Sequence, residues 1–194
     1  MIILASASPR RRDILTELGV DFTVITENTD ENCSERDPHA YVRELAERKG
    51  KAVRDKLCRE QSEVQDAIII SADTVVYAGG EILGKPSDEA DAVRMITSLS
   101  GKAHSVISGV AITCGDKTVS AACETRVRVT DIPSEKIAEY VATGEPMDKA
   151  GAYAIQGRFS AWISSIDGCY FNVVGLPVNV LNSLYLEVTG KYII

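Results

Sequence analysis

The alternation of short apolar runs with capping signals predicts a chain of strands and helices. Residues 2–4 form a brief apolar run suited to a buried strand. The small residues Ala5, Ser6 and Ala7 follow. Next comes Ser8-Pro9, a capping residue before a proline whose fixed φ suits a first helical turn. A helix over 9–18 puts Ile14, Leu15 and Leu18 on one face and stops at Gly19. A strand is expected over 22–25, then a polar, acidic loop over 28–37. Asp37-Pro38 repeats the cap-plus-proline signal and opens a long helix to about Leu57, with Tyr41, Val42, Leu45, Ala46 and Val53 as its apolar positions. Lys49 falls near that stripe. A lysine there either snorkels to water or points into a cleft at the helix edge.

Residues 67–72 are β-branched and continuous, the most strand-like text in the chain, and end in Asp73-Thr74. Two short strands around Gly79-Gly80 predict a hairpin over 75–83, and Ser87 is placed to cap a helix to about Ser98. Long strands over 104–114 and 118–129 flank a turn at Gly115-Asp116. A helix over 134–144 follows. Residues 145–157 are neither helix nor clean strand, and their small residues allow close backbone approach. A last hairpin is expected over 162–174 around Asp167-Gly168, and a closing helix over 178–188.

Composition narrows the class. With 194 residues, 45% hydrophobic and 25% charged, the chain is an ordinary globular one, read as a single domain over 1–194. A net charge of −7 argues against a nucleic-acid coat protein. Five scattered cysteines with no C-x-x-C spacing fit a reducing cytosol better than disulfides or zinc. No apolar run approaches a signal peptide or a membrane span, so a cytoplasmic protein is expected.

Candidate chemistry gathers at a few points. Arg10, Arg11 and Arg12 crowd a helix end that prefers negative side chains, which fits either a solvated basic turn or a site filled by an anion. Asp30 and Glu31 are either loop solvation or carboxylates that reach a metal. Asp73 lies at the end of a buried strand, where α/β sheets place their sites; the alternative is a turn aspartate. The text from Gly79 to Lys85 nearly matches a phosphate-binding P-loop but has Pro86 where a hydroxyl is required, so that reading is rejected. Lys85 stays a candidate because proline holds its backbone extended. His104 and Ser108 lie about 13 Å apart along one strand and cannot form a nucleophile pair. Asp148, Lys149 and Gln156 are dispersed through the irregular loop, and a glutamine amide suits a base edge.

Read jointly, seven ordered blocks resemble the Maf family of nucleoside triphosphate pyrophosphatases. They are Leu4-Ala-Ser6-Ala-Ser8-Pro-Arg10-Arg11, Glu44-Leu-Ala-Glu-Arg-Lys49, Ser71-Ala-Asp73-Thr74-Val, Gly84-Lys85-Pro86, Ser100-Gly101 with His104-Ser-Val, Asp148-Lys149-Ala-Gly-Ala-Tyr153-Ala-Ile-Gln156-Gly157, and Val174-Gly-Leu-Pro177. The resemblance implies an α/β fold with a mixed, twisted central sheet flanked by helices. It also implies two lobes with a cleft, like inosine triphosphate pyrophosphatases. It implies hydrolysis between the α- and β-phosphates with a divalent cation, Mg or Mn. The 148–157 text resembles the subgroup acting on dTTP and UTP. By that similarity Asp73 is the catalytic carboxylate, and Arg10, Thr74 and Gln156 sit at positions tied to substrate choice. Ser6, Lys49 and Lys85 match polar positions of the cleft. Arg11, Asp148 and Lys149 are further substrate-binding candidates, and Asp30, Glu31 and Asp73 are metal candidates. Asp30 departs from the family, which often carries Glu there, and Glu31 is its substitute. The implied partner is a nucleoside triphosphate, with no nucleic acid or membrane, and a homodimer is compatible. The alternatives are a non-hydrolysing nucleotide-binding regulator of septum formation and an enzyme for modified pyrimidine triphosphates.

Overall fold

The computed structural model describes residues 1–60 and 67–194. Strand β1 (Ile2–Leu4) leads to helix α1 (Pro9–Glu17), β2 (Phe22–Val24) and the long α2 (Pro38–Arg59). Then come β3 (Ile68–Ala78), β4 (Glu81–Leu83), α3 (Glu89–Leu99), β5 (Ala103–Cys114), β6 (Lys117–Val129) and α4 (Ser134–Val141). Three short 3-10 turns, Glu145–Asp148, Ala150–Ala152 and Arg158–Trp162, precede β7 (Ile163–Asp167), α5 (Tyr170–Val174) and α6 (Val178–Thr189). Among the described residues the strands form one seven-stranded sheet, ordered β2-β1-β3-β5-β6-β7, with β4 on β3. It is mixed: β1 runs parallel to β2 and β3, while β4 is antiparallel to β3 and β7 antiparallel to β6. The fold is therefore α/β with a mixed sheet flanked by helices. No helix among the described residues is long and apolar enough to cross a membrane.

The chain divides into two compact units, one of residues 1–73, 108–123 and 175–194, the other of 74–107 and 124–174. In the first, Ile3, Val53, Leu57 and Ile69 pack α2 onto β1 and β3. Two glycines set how close α2 lies to the sheet. A Cβ on Gly109 of β5 would come 2.3 Å from the Val42 carbonyl oxygen, and one on Gly50 would come 2.9 Å from both Ser71 Oγ and Thr113 Oγ1. Ser71 Oγ also donates to the Ala46 carbonyl at 2.7 Å. In the second unit, Met95, Ile96 and Leu99 of α3 and Ile137, Tyr140 and Val141 of α4 bury their faces with Val127, Val129 and Phe159.

The structure corrects the expected elements at three places. β3 continues through Asp73 and Thr74 to Ala78 instead of ending there. Aspartate is a poor strand residue, and here a cation from α2 compensates for it. Asp88, not Ser87, caps α3, accepting from Asp91 N–H at 2.7 Å. The second limb of the last predicted hairpin is the short helix α5. Gly168, at φ +129°, turns the chain against Thr125, and Asn172 Nδ2 donates to Val106 O and Thr125 Oγ1, both at 2.9 Å. These long-range bonds override the strand propensity of Tyr170, Phe171 and Val173.

Candidate active site

The candidate residues of the first unit converge. At its start, the β1-to-α1 loop buries Ser6, whose Oγ accepts from Ser8 N–H at 3.3 Å and Arg11 Nη1 at 3.0 Å. Arg11 Nε donates to the Gly175 carbonyl at 2.8 Å. Arg11 therefore ties the loop to the segment before α6. Burial lowers its pKa, and the Asp73 charge pulls the other way. α1 begins at Pro9 with no acidic residue in its first turn and no capping bond from Ser8. The first turn thus carries no negative side chain of its own, and Arg10 stands in that same turn.

The catalytic candidate is held from α2. Lys49 Nζ lies 2.6 Å from Asp73 Oδ1 and 2.8 Å from Glu31 Oε1. Gly50, pressed onto Ser71 and Thr113, brings Lys49 to Asp73. Burial disfavours the Lys49 charge, but the two carboxylates outweigh it and hold its pKa above the ordinary lysine value. Of the two readings of Lys49, the inward one describes the structure. Tyr41, read from sequence as an apolar position, also feels this cluster: burial raises its pKa, and the Asp73 charge adds to the rise.

Arg48 places the acidic loop. Its Nη1 donates to Asn32 O at 2.7 Å and Asp30 O at 3.3 Å, and its Nη2 pairs with Glu44. Cys33 Sγ donates to the other Glu44 oxygen at 3.2 Å. The loop so fixed delivers Glu31 to Lys49. The exposed Asp30 accepts from Asn32 N–H at 2.9 Å, a turn-forming bond. Among the described residues, no group of three or more His, Cys, Asp or Glu is placed to hold a metal ion. Asp73 and Glu31 nevertheless converge on one cation, the Lys49 ammonium. Two carboxylates form an all-oxygen donor set that fits Mg²⁺ or Mn²⁺ when waters and phosphate oxygens complete the shell.

The second unit holds the other candidates. Thr74, half-buried, follows Asp73 on β3. Lys85 is exposed after β4, and the carbonyl before it, Gly84 O, accepts from Gly151 N–H at 2.9 Å. That bond brings the Lys85 segment to the 145–157 loop. Gly151 sits at φ +65°, and a Cβ there would come 2.6 Å from Val76 Cγ2, so the loop's close packing requires glycine. Lys149 Nζ turns back onto its own loop, at 2.5 Å from Glu145 O and 2.6 Å from Asp148 Oδ1. Gln156 is exposed. Tyr153 Oη lies 2.6 Å from His104 Nε2, inside the core.

Sequence reasoning did not single out Arg48, Gly50 or Glu145 as functional. The mid-helix glycine beside Lys49 was the one readable signal, since such a residue costs helix stability unless something must approach closely.

A positive helix end, a carboxylate paired with a buried lysine and a second acidic side chain form the apparatus of an α/β protein that handles phosphate groups. Comparison with known proteins agrees. The family model described as Maf-like protein matches residues 1–188, and the chain belongs to that family. It is 48% identical over 179 residues to the dTTP/UTP pyrophosphatase of Symbiobacterium thermophilum, covering 92% of this chain and 89% of the relative. It is 46% identical over 187 residues to that of Dictyoglomus thermophilum, covering 94% and 93%. With that of Thermococcus kodakarensis it is 43% identical over 181 residues, covering 93% of each.

Proposed function

We propose that this protein hydrolyses dTTP and UTP to the monophosphate and pyrophosphate. The observation that carries the reading is Lys49 drawn between Asp73 and Glu31. The two carboxylates keep the Lys49 ammonium charged despite its burial, and that cation fixes the Asp73 side chain where a water-activating site requires a carboxylate. The relatives' names and the extent of their identity support the substrate class.

Four negative charges on a triphosphate call for cations and donors instead of a covalent nucleophile. Arg10, the α1 N–H groups and Lys85 bind phosphate oxygens. Ser6, held by Arg11, supplies a hydroxyl beside them. Asp73 and Glu31 are the residues that hold a divalent cation, which when bound neutralises phosphate charge and acidifies water. Asp73 takes the proton of the attacking water as its oxygen bonds the α-phosphorus. The bond from that phosphorus to the oxygen bridging to the β-phosphorus breaks, and pyrophosphate leaves. Thr74, Asp148, Lys149 and Gln156 select the nucleoside. The cytosol is the proposed location, because five scattered cysteines without C-x-x-C spacing suit a reducing compartment.

The test incubates the protein with dTTP or UTP and Mg²⁺ and identifies the products. Monophosphate with pyrophosphate is expected, lost in Asp73→Asn. Orthophosphate with diphosphate, or binding without turnover, overturns the reading.

A further inference from the structure

One side chain closes the 145–158 segment on itself. Glu145 Oε1 accepts from Tyr140 Oη at 3.2 Å, and Oε2 accepts from Arg158 N–H at 3.4 Å. Gly157 stands at φ +95°, ψ −159°, and a Cβ there would come 2.7 Å from Glu145 Oε1. The carboxylate is therefore seated on the backbone that directly follows Gln156. The main-chain carbonyl of Glu145 accepts from Lys149 Nζ at 2.5 Å, so the same residue touches the outgoing limb of the loop. The middle of the loop is fixed separately, by Gly151 N–H on Gly84 O and by Tyr153 on His104.

We propose that Glu145 is a positioning residue for base recognition: its carboxylate clamps Gly157 and Arg158 and so sets where Gln156 presents its amide. The inference rests on the reading of the protein as a pyrimidine triphosphate pyrophosphatase. An amide that reads a base edge works only if its support holds it to about half an ångström. A glycine in the left-handed region gives the returning limb no stiffness of its own. The Glu145 carboxylate supplies it, from the 3-10 turn that follows α4, where it is bonded to Tyr140, which is buried in the core. Losing the clamp loosens Gln156 while leaving Asp73, Lys49 and Glu31 intact, so selection suffers more than chemistry.

The experiment measures kcat and KM for dTTP, UTP, CTP and ATP in the wild type, Glu145→Ala, Glu145→Gln and Glu145→Asp, with Tm as a control. In Glu145→Ala, KM for dTTP and UTP should rise about tenfold, with kcat within about threefold. The preference for dTTP over CTP should narrow about tenfold. Glu145→Gln keeps a carbonyl oxygen that accepts from Arg158 N–H and donates its amide N–H to Tyr140 Oη, so it should keep the preference within about threefold. Glu145→Asp falls short of Gly157 and should narrow the preference even if the alanine variant does not fold. A wild type that hydrolyses no triphosphate overturns the functional reading. An active wild type, with folded Ala or Asp variants that keep its preference or lose kcat equally on every substrate, overturns the role of Glu145 alone.

Discussion

Lys49 reaches across from α2 to hold Asp73, its Nζ 2.6 Å from Oδ1, with side chains only 20% and 13% exposed. The pair is buried enough that neither charge is comfortable without the other. Asp73→Asn should lower kcat on dTTP by about a thousandfold, the usual range for a general base. Lys49→Met should do the same while also destabilising the protein by about 1–3 kcal/mol, because Asp73 then lies buried with one neutralising contact fewer. Steady-state kinetics and denaturant titration check both. The folded pKa of Lys49 is raised, so its stabilisation is complete below the ordinary value of 10.5 and is lost as pH rises through the higher folded value. An activity loss between pH 8 and about 10 must then come from another group.

The acidic loop separates Glu31 from Asp30. Glu31 shares Lys49 with Asp73, whereas Asp30 closes a turn on Asn32 N–H. Glu31→Gln should therefore raise the Mg²⁺ concentration for half-maximal rate by about tenfold, and Asp30→Asn by much less. Arg48→Lys should resemble Glu31→Gln, since a single ammonium cannot span Asn32 O, Asp30 O and Glu44. A metal titration of the three variants decides the point, and equal responses from Asp30 and Glu31 would contradict it.

Local chemistry made much of this readable in advance. Asp37-Pro38 opens α2 because cap and proline act within one turn, with Asp37 accepting from His39 and Ala40 N–H. Lys49, Asp73 and Glu31 stood out as charges near an apolar stripe, a strand and a loop. The misreadings have distant causes. β3 runs through Asp73 because its neutralising cation lies 24 positions upstream. Residues 170–174 coil because Asn172 finds its acceptors 66 and 47 positions away. Arg48 and Glu145 escaped notice for the same reason. A surface charge that fastens a loop looks, in sequence, like any other surface charge.

Arg11 illustrates how structure divides the arginine cluster. Its Nε and Nη1 serve Gly175 O and Ser6 Oγ at 2.8 and 3.0 Å, so its fork is engaged in holding the β1-to-α1 loop. Arg11→Lys should lose one of the two bonds and about 1–2 kcal/mol, seen as a fall in Tm of about 3–6 °C. Arg10→Ala should instead raise KM about tenfold through the loss of a phosphate-binding cation. Melting curves beside KM values would show whether the two arginines divide the work in this way.

His104 makes stability depend on pH on the acid side. The ring is 4% exposed, and its Nε2 lies 2.6 Å from Tyr153 Oη. Among the described residues, Nδ1 has no hydrogen-bond partner. Burial lowers its pKa from 6.5 to about 4, while burial raises that of Tyr153, so both groups are neutral at pH 7. Between pH 6.5 and about 4 the unfolded chain binds a proton that the folded one refuses. Stability therefore falls as pH drops through that window, by at most about 3 kcal/mol, and the effect is complete below it. A His104→Asn variant removes the titrating ring. It should be less stable than the wild type at pH 7, because Tyr153 Oη loses its partner, yet lose less on going to pH 4. Guanidinium unfolding at several pH values compares the two slopes. Parallel slopes would mean that the folded ring binds its proton as readily as the unfolded one between pH 6.5 and about 4, with Nε2 then donating to Tyr153 Oη.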